Sequence, residues 1–429
     1  MIYDSPMPGR TFLCAFVSLW LVIAIVVSAQ NAAVTAFIGA TVVDGTGGAP
    51  IENAVVLVSG GRITAVGPAS RVTVPPKAIR IDLAGRTLLP GFVNAHGHVA
   101  GAQRADLEAQ LLLYARYGVT SVFSLGGDTA ASVALRDEPP RGHARLFIAG
   151  PRVDATTAAE AATLVDENAA MNVDWMKIRV DDYLGTTPKM PTEAWKAVID
   201  RSHARKIPVA AHIFYLDDAK NLLREGVDLI AHSVRDTAVD FEFVQLARAR
   251  GVCVSPTLMR EVSTFVYEST PSFFREEFFL RYADPSAVER LSNREYQDQV
   301  HRDPATPRYK AAFEQASRNL KQLHDAGVGI AMGTDSGAAG RFQGSFEHLE
   351  LELMVKAGLT PLQAIVAATG GAARCMKKTG VIGTVQPGGW ADLVVYESNP
   401  LADIRNTRRI ASVWVAGVEV DGVEVDSGR

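Results

Sequence analysis

The sequence predicts a (β/α)8 TIM barrel with a small β-sandwich domain built from both chain ends. Three observations predict it. The middle of the chain alternates short apolar strands with helical segments, both ends are β-rich, and histidines recur at the ends of the strands. The 429 residues are 48% apolar, enough for a large core and long enough for a barrel with an appendage. A net charge of -4, with 21% charged residues, argues against a nucleic-acid surface or a polybasic membrane patch. The expected partner is a small molecule, and homo-oligomerisation stays open.

At the N-terminus, Arg10 precedes an uncharged apolar run from Thr11 to Val27, and Val27-Ser28-Ala29 offers small residues to signal peptidase. Residues 1–29 read as a signal peptide cleaved after Ala29. The mature chain is then exported, periplasmic or secreted, with no stable membrane partner. The run is slightly long for a signal core and short for a spanning helix, so a retained anchor is the alternative. Cys14 lies inside the run, leaving Cys253 and Cys375 in the mature chain. Two cysteines make neither a disulfide framework nor a thiolate metal site, so a metal must use His, Asp, Glu or a modified residue.

Residues 30–88 form the N-terminal part of the β-domain. Alternation is visible in Ala54-Val55-Val56-Leu57-Val58, followed by the turn Ser59-Gly60-Gly61-Arg62 and a strand from Ile63 to Val66. Residues 383–429 have the same character, in Asp392–Tyr396 and Ser412–Gly417, and are expected to pair with the first part. Between them, residues 89–382 form the barrel. Its candidate strands are 92–98, 119–124, 145–149, 175–180, 208–212, 229–232, 252–256 and 329–334.

Helix signals fill the gaps. Thr157 and Glu160 suggest a capping box, Trp195, Val198 and Ile199 make an apolar stripe, and Thr360-Pro361 with Gln363 opens the last barrel helix. One connection breaks the rhythm: residues 259–307 are charged and aromatic, with Phe265, Tyr267, Phe273, Phe274, Phe278 and Phe279. Following the seventh strand, this segment is expected to cover the C-terminal mouth as a lid.

The chemistry begins at His96-Gly97-His98. Residues two apart on a strand face the same way, so both imidazoles point into the barrel. Imidazole is the commonest metal ligand. His212 closes the fifth strand, His232 the sixth, and Asp335 follows the eighth. Side chains at these strand ends are where such barrels place their active sites. Lys177 lies in an otherwise apolar fourth strand, where a lysine must be paired or modified. A neutral amine there can add carbon dioxide, giving an anionic carbamate able to bridge two cations. Arg179 and Asp181 share its parity; either a substrate contact or a structural ion pair would explain them. His143, His203, His324 and His348 read as surface or structural groups, and His301 falls in the lid-like segment.

These features resemble the amidohydrolase superfamily, within it the imidazolonepropionase-like group that includes prolidase- and carboxypeptidase-like hydrolases. The resemblance rests on Gly85-Arg86, on Leu89-Pro90-Gly91-Phe92-Val93-Asn94-Ala95-His96-Gly97-His98, on Gly333-Thr334-Asp335-Ser336, and on Gly388-Gly389-Trp390-Ala391-Asp392-Leu393-Val394. It implies two divalent metal ions, with zinc the best match to these donors. His96, His98 and Asp335 would hold one, His212 and His232 the other, and carboxylated Lys177 with a hydroxide would bridge them. Asp335 would also take the proton of the attacking water. Asn94 departs from the Asp often found there, without removing a ligand.

The expected activity is hydrolysis of an amide, peptide or N-acyl, by metal-activated hydroxide, with ester or lactone hydrolysis also open. The rival readings are a mononuclear deaminase or cyclic-amide hydrolase, and a non-catalytic binding protein on the same scaffold. The complete ligand set weighs against the last.

Overall fold

The computed structural model describes residues 33–140 and 142–423; the segment read as a signal peptide lies outside them. Five strands come first: β1 (Val34–Val42), β2 (Ile51–Ser59), β3 (Arg62–Pro68), β4 (Ile79–Asp82) and β5 (Thr87–Pro90). The β2–β3 hairpin turns through Gly60 and Gly61 at φ +58° and +75°. Two positive φ values in a two-residue loop match the right-handed twist of the flanking strands, and glycine adopts them without strain.

Three C-terminal strands complete this sheet: β14 (Leu393–Tyr396), β15 (Ile410–Val415) and β16 (Val418–Glu419). The order is β16-β15-β14-β5-β1-β2-β3, with β4 on β1 outside that path. The two chain ends join where β14 runs antiparallel to β5, Leu393 opposite Pro90. The path also curls back on itself, since Ala391 donates to the Gly61 carbonyl at 2.9 Å and Ile63 to that of Gly389 at 3.0 Å. Phe37, Val56, Val58, Leu88, Leu393 and Val395 fill the enclosed core.

The barrel strands are β6 (Phe92–Gly97), β7 (Val119–Ser124), β8 (Arg145–Ile148), β9 (Met176–Val180), β10 (Val209–Ile213), β11 (Leu229–Ala231), β12 (Cys253–Ser255) and β13 (Gly329–Ile330). All adjacent pairs are parallel, within a three-stranded and a five-stranded group. Two seams close the ring. Val153 donates to the Lys177 carbonyl at 2.8 Å beyond β8; Ala95 donates to Met332 at 2.8 Å, and Thr334 to His96 at 3.1 Å. The eighth wall therefore continues past β13 to Ser336, although its ladder is too irregular to count as strand. Gly333 permits this approach: a Cβ there would meet the Cβ of His96 at 2.7 Å.

Helices cover the barrel as their patterns predict. Trp195, Val198 and Ile199 are buried. Thr360 and Gln363 make both halves of a capping box. Thr157 caps the Glu160 amide, but the Glu160 carboxylate bonds Thr156 instead of closing the box.

Two features were not legible in the sequence. Cys253 on β12 and Cys375, which ends the helix Gly370–Cys375, form a disulfide across a separation of 122 residues. The residues between them fold the two positions together, a proximity that spacing alone does not reveal. The other lies in the lid-like segment. Tyr267, Phe273, Phe274 and Phe279 pack with Phe346 and Phe342 into a core of their own. The aromatics thus find partners around the start of the helix Ser345–Lys356.

Candidate metal centre

Strand parity does what it promised at β6. His96 and His98 both face the interior, His96 fully enclosed and the His98 side chain 25% exposed. Gly97 between them has no room for a side chain, because a Cβ would meet the Tyr114 hydroxyl at 2.9 Å. Asp335 arrives from the eighth wall, with Oδ1 2.7 Å from His98 Nε2 and 3.4 Å from His96 Nε2. From β9, Lys177 places Nζ 3.0 Å from His96 Nε2. From the ends of β10 and β11, His212 Nδ1 lies 3.0 Å from His232 Nε2. All six predicted residues therefore meet at the C-terminal face. His96, His232 and Asp335 each offer a ligand atom within 4.8 Å of the others.

Three of these groups sit on unusual backbone. His232 and Asp335 have φ of +75° and +55°, and Thr257, the partner of His232, has +49°. Non-glycine residues in the left-handed region are uncommon and collect at functional sites.

Hydrogen bonds select the tautomers. His98 Nδ1 donates to the Gly126 carbonyl at 3.2 Å, so in a neutral ring its Nε2 carries a lone pair toward Asp335. His212 Nε2 donates to Asp181 Oδ2 at 2.7 Å, leaving Nδ1 free to face inward. His232 Nδ1 bonds the Thr257 hydroxyl at 2.6 Å and turns Nε2 inward. Outward ring nitrogens held by a carbonyl, a carboxylate or a hydroxyl, with the opposite nitrogens turned inward, are how proteins prepare imidazoles for a metal.

Electrostatics act in the same sense. Burial holds the imidazoles of His96, His212 and His232 below their ordinary range, His212 at about 3, so all three are neutral near pH 7. Burial also lowers the Lys177 ammonium to about 7, with Asp335 opposing the shift and Arg152 adding to it. Asp335 stays well below the usual carboxylate range: burial would raise it, but the Arg341 guanidinium and the His98 bond overcome that. Neutral imidazoles and a carboxylate gathered this closely are donors that a cation can share. The donor set fits divalent metal ions.

A cavity of about 320 Å³ opens above these groups, and Arg152, Arg260 and Arg341 line it with Tyr183. Arg341 ion-pairs with Asp335. Sequence reasoning missed these arginines because they lie beyond strand ends, where no periodicity marks direction. Asp181 had the right parity and proves to be the partner of His212. Arg179, its neighbour on the same face, instead bonds the Thr187 hydroxyl at 3.2 Å.

The remaining histidines are structural or peripheral. His348 is buried between the Tyr117 carbonyl and Thr407, and His203 pairs with Asp228. His301 is 73% exposed beside Glu268.

A profile of the amidohydrolase family matches residues 87–420. The chain belongs to that family. As an amidohydrolase it is a hydrolase acting on C–N bonds. An imidazolonepropionase from Streptomyces coelicolor is 26% identical over 398 residues, covering 86% of this chain and 92% of the relative. A Bifidobacterium longum protein assigned as a prolidase superposes with a TM-score of 0.74 at 26% identity, covering 91% of this chain and 95% of its own. A Xaa-Pro dipeptidase with bound methionine superposes at 0.72, covering 90% and 99%; its 20% identity supports the fold alone.

Proposed function

We propose that this amidohydrolase uses two divalent metal ions to cleave the amide bond of a small peptide or N-acyl amino acid. His96, His98 and Asp335 would hold one ion, His212 and His232 the other, and Lys177, as its carbamate, would serve both. The observation that carries the reading is the convergence of inward lone pairs on His98, His212 and His232, each opposite a satisfied outward nitrogen. Imidazole and carboxylate donors suit zinc. Such ions, when bound, lower the pKa of water and polarise a carbonyl.

The chain's own groups supply the rest. Asp335 is the acceptor for the proton of the attacking water, and its pairing with Arg341 keeps it ionised for that task. The depressed ammonium of Lys177 supplies the neutral amine that adds carbon dioxide: nitrogen bonds to carbon and a proton leaves to solvent. Arg152 and Arg260 present guanidinium groups to the cavity, matching a substrate that carries a carboxylate. The prolidase-assigned relative supports a peptide-like substrate. A disulfide between Cys253 and Cys375 is in keeping with folding in an oxidising compartment, which supports export.

A one-metal reading draws on the tighter grouping of His96, His232 and Asp335. Elemental analysis of the purified protein, followed by a screen of N-acyl amino acids, dipeptides and lactones, separates the two. Two equivalents of zinc and chelator-sensitive amide hydrolysis are expected. One equivalent in fully active protein would favour the mononuclear reading.

A further inference from the structure

Beside the proposed second metal position lies a chain of buried charges that the ligand set does not account for. Asp181 follows β9 and accepts from His212 Nε2. Arg235 follows β11, and its side chain is wholly enclosed. One of its terminal nitrogens stands 3.8 Å from Asp181 Oδ2, and its Nε ion-pairs with Glu261 at 3.1 Å. Glu261 also pairs with Arg260, at 2.9 Å. Two cations and two anions are thus interleaved out of contact with water.

The other terminal nitrogen of Arg235 is more telling. It donates to the carbonyl of Ile213 at 2.7 Å and to that of Ser233 at 2.9 Å. Ile213 immediately follows His212, and Ser233 immediately follows His232. A single guanidinium therefore grips the backbone just past each histidine and also faces the carboxylate that orients one of them. The Phe214 ring lies over it at 4.5 Å and limits its movement. A buried ion network is often no more stabilising than apolar residues of the same volume, so stability alone is a weak reason for it. The planar fork of arginine suits it to fixing several acceptors at once.

We propose that Arg235 is the positioning residue of the His212–His232 pair, fixing both backbone ends and, through Asp181, the tautomer of His212 that turns Nδ1 inward. The inference rests on the two-metal reading for its consequence, but the tautomer can be observed without metal.

The test uses the full mature chain as wild type, Arg235→Met and Arg235→Lys. The first readout is histidine ¹⁵N NMR of metal-free protein, with the His212 signal assigned by its loss in His212→Gln. The second is calorimetric titration with zinc chloride. Wild type should show His212 protonated at Nε2 and two zinc-binding steps. Arg235→Met should mix the His212 tautomers and weaken one step by about 10–100-fold while sparing the other. Arg235→Lys, which keeps the charge but not the fork, should fall between. If Arg235→Met does not fold, Arg235→Lys decides, with partial tautomer mixing expected. An unchanged His212 tautomer in whichever folded variant decides would overturn the proposal. A single zinc step in wild type would instead count against the two-metal reading, and the tautomer readout would still judge Arg235.

Discussion

Nζ of Lys177 lies 3.0 Å from Nε2 of His96, both inside the barrel and both out of water. Asp335 Oδ1 stands 3.4 Å from the same His96 nitrogen. A carbamate on Lys177 would turn the encounter of Lys177 with His96 into a contact with a shared cation. Lys177→Ala should therefore reduce bound metal well below two per chain, and a small carboxylic acid in solution should restore part of the activity. Full metal content with near-normal turnover would rule out the bridge.

Asp335→Asn separates metal binding from proton transfer. Asparagine tolerates the φ of +55° at this position, so the loop should keep its path. The variant should retain more metal than Lys177→Ala, while kcat falls by about 10²–10⁴-fold. Turnover within a few-fold of wild type would remove Asp335 as the proton acceptor.

The candidate site residues were legible because β-strand parity and strand ends are written in the local sequence: the positions of His96, His98, Lys177, His212 and His232 all follow from it. Arg341 was not, because its position depends on a loop that tertiary contacts shape. Arg235 stayed hidden for a related reason, since its three acceptors come from three separate strand ends. The packing of the aromatic segment was not legible, because its partners, Phe342 and Phe346, are distant in sequence.

That packing has a measurable consequence. Phe274 stacks on Phe279 with ring centroids 5.2 Å apart and packs edge-on to Phe342. Phe274→Ala should destabilise the protein by about 3–5 kcal/mol, read from chemical denaturation. A loss below about 1 kcal/mol, with altered substrate preference, would return the segment to a covering role.

His348 gives acid sensitivity away from the metal ligands. Burial lowers it from 6.5 to about 3 in the folded chain. The unfolded state then binds the extra proton first, so this group's contribution is fully present above about pH 6.5 and is lost as pH falls toward 3. At pH 5 the loss is about 2 kcal/mol. His348→Gln should flatten the stability profile between pH 7 and 5 relative to wild type, as measured by urea denaturation. Parallel profiles would mean that His348 carries no such penalty.

The bridge between Cys253 and Cys375 encloses the whole helical segment from 259 to 307 together with Asp335. A protease that cut any exposed turn within that span would leave two polypeptides still covalently joined, with Asp335 tethered to the histidines around it. Clipped protein should migrate as one band on a non-reducing gel and as two after reduction. A broken backbone within that span need not separate the two sides of the candidate site.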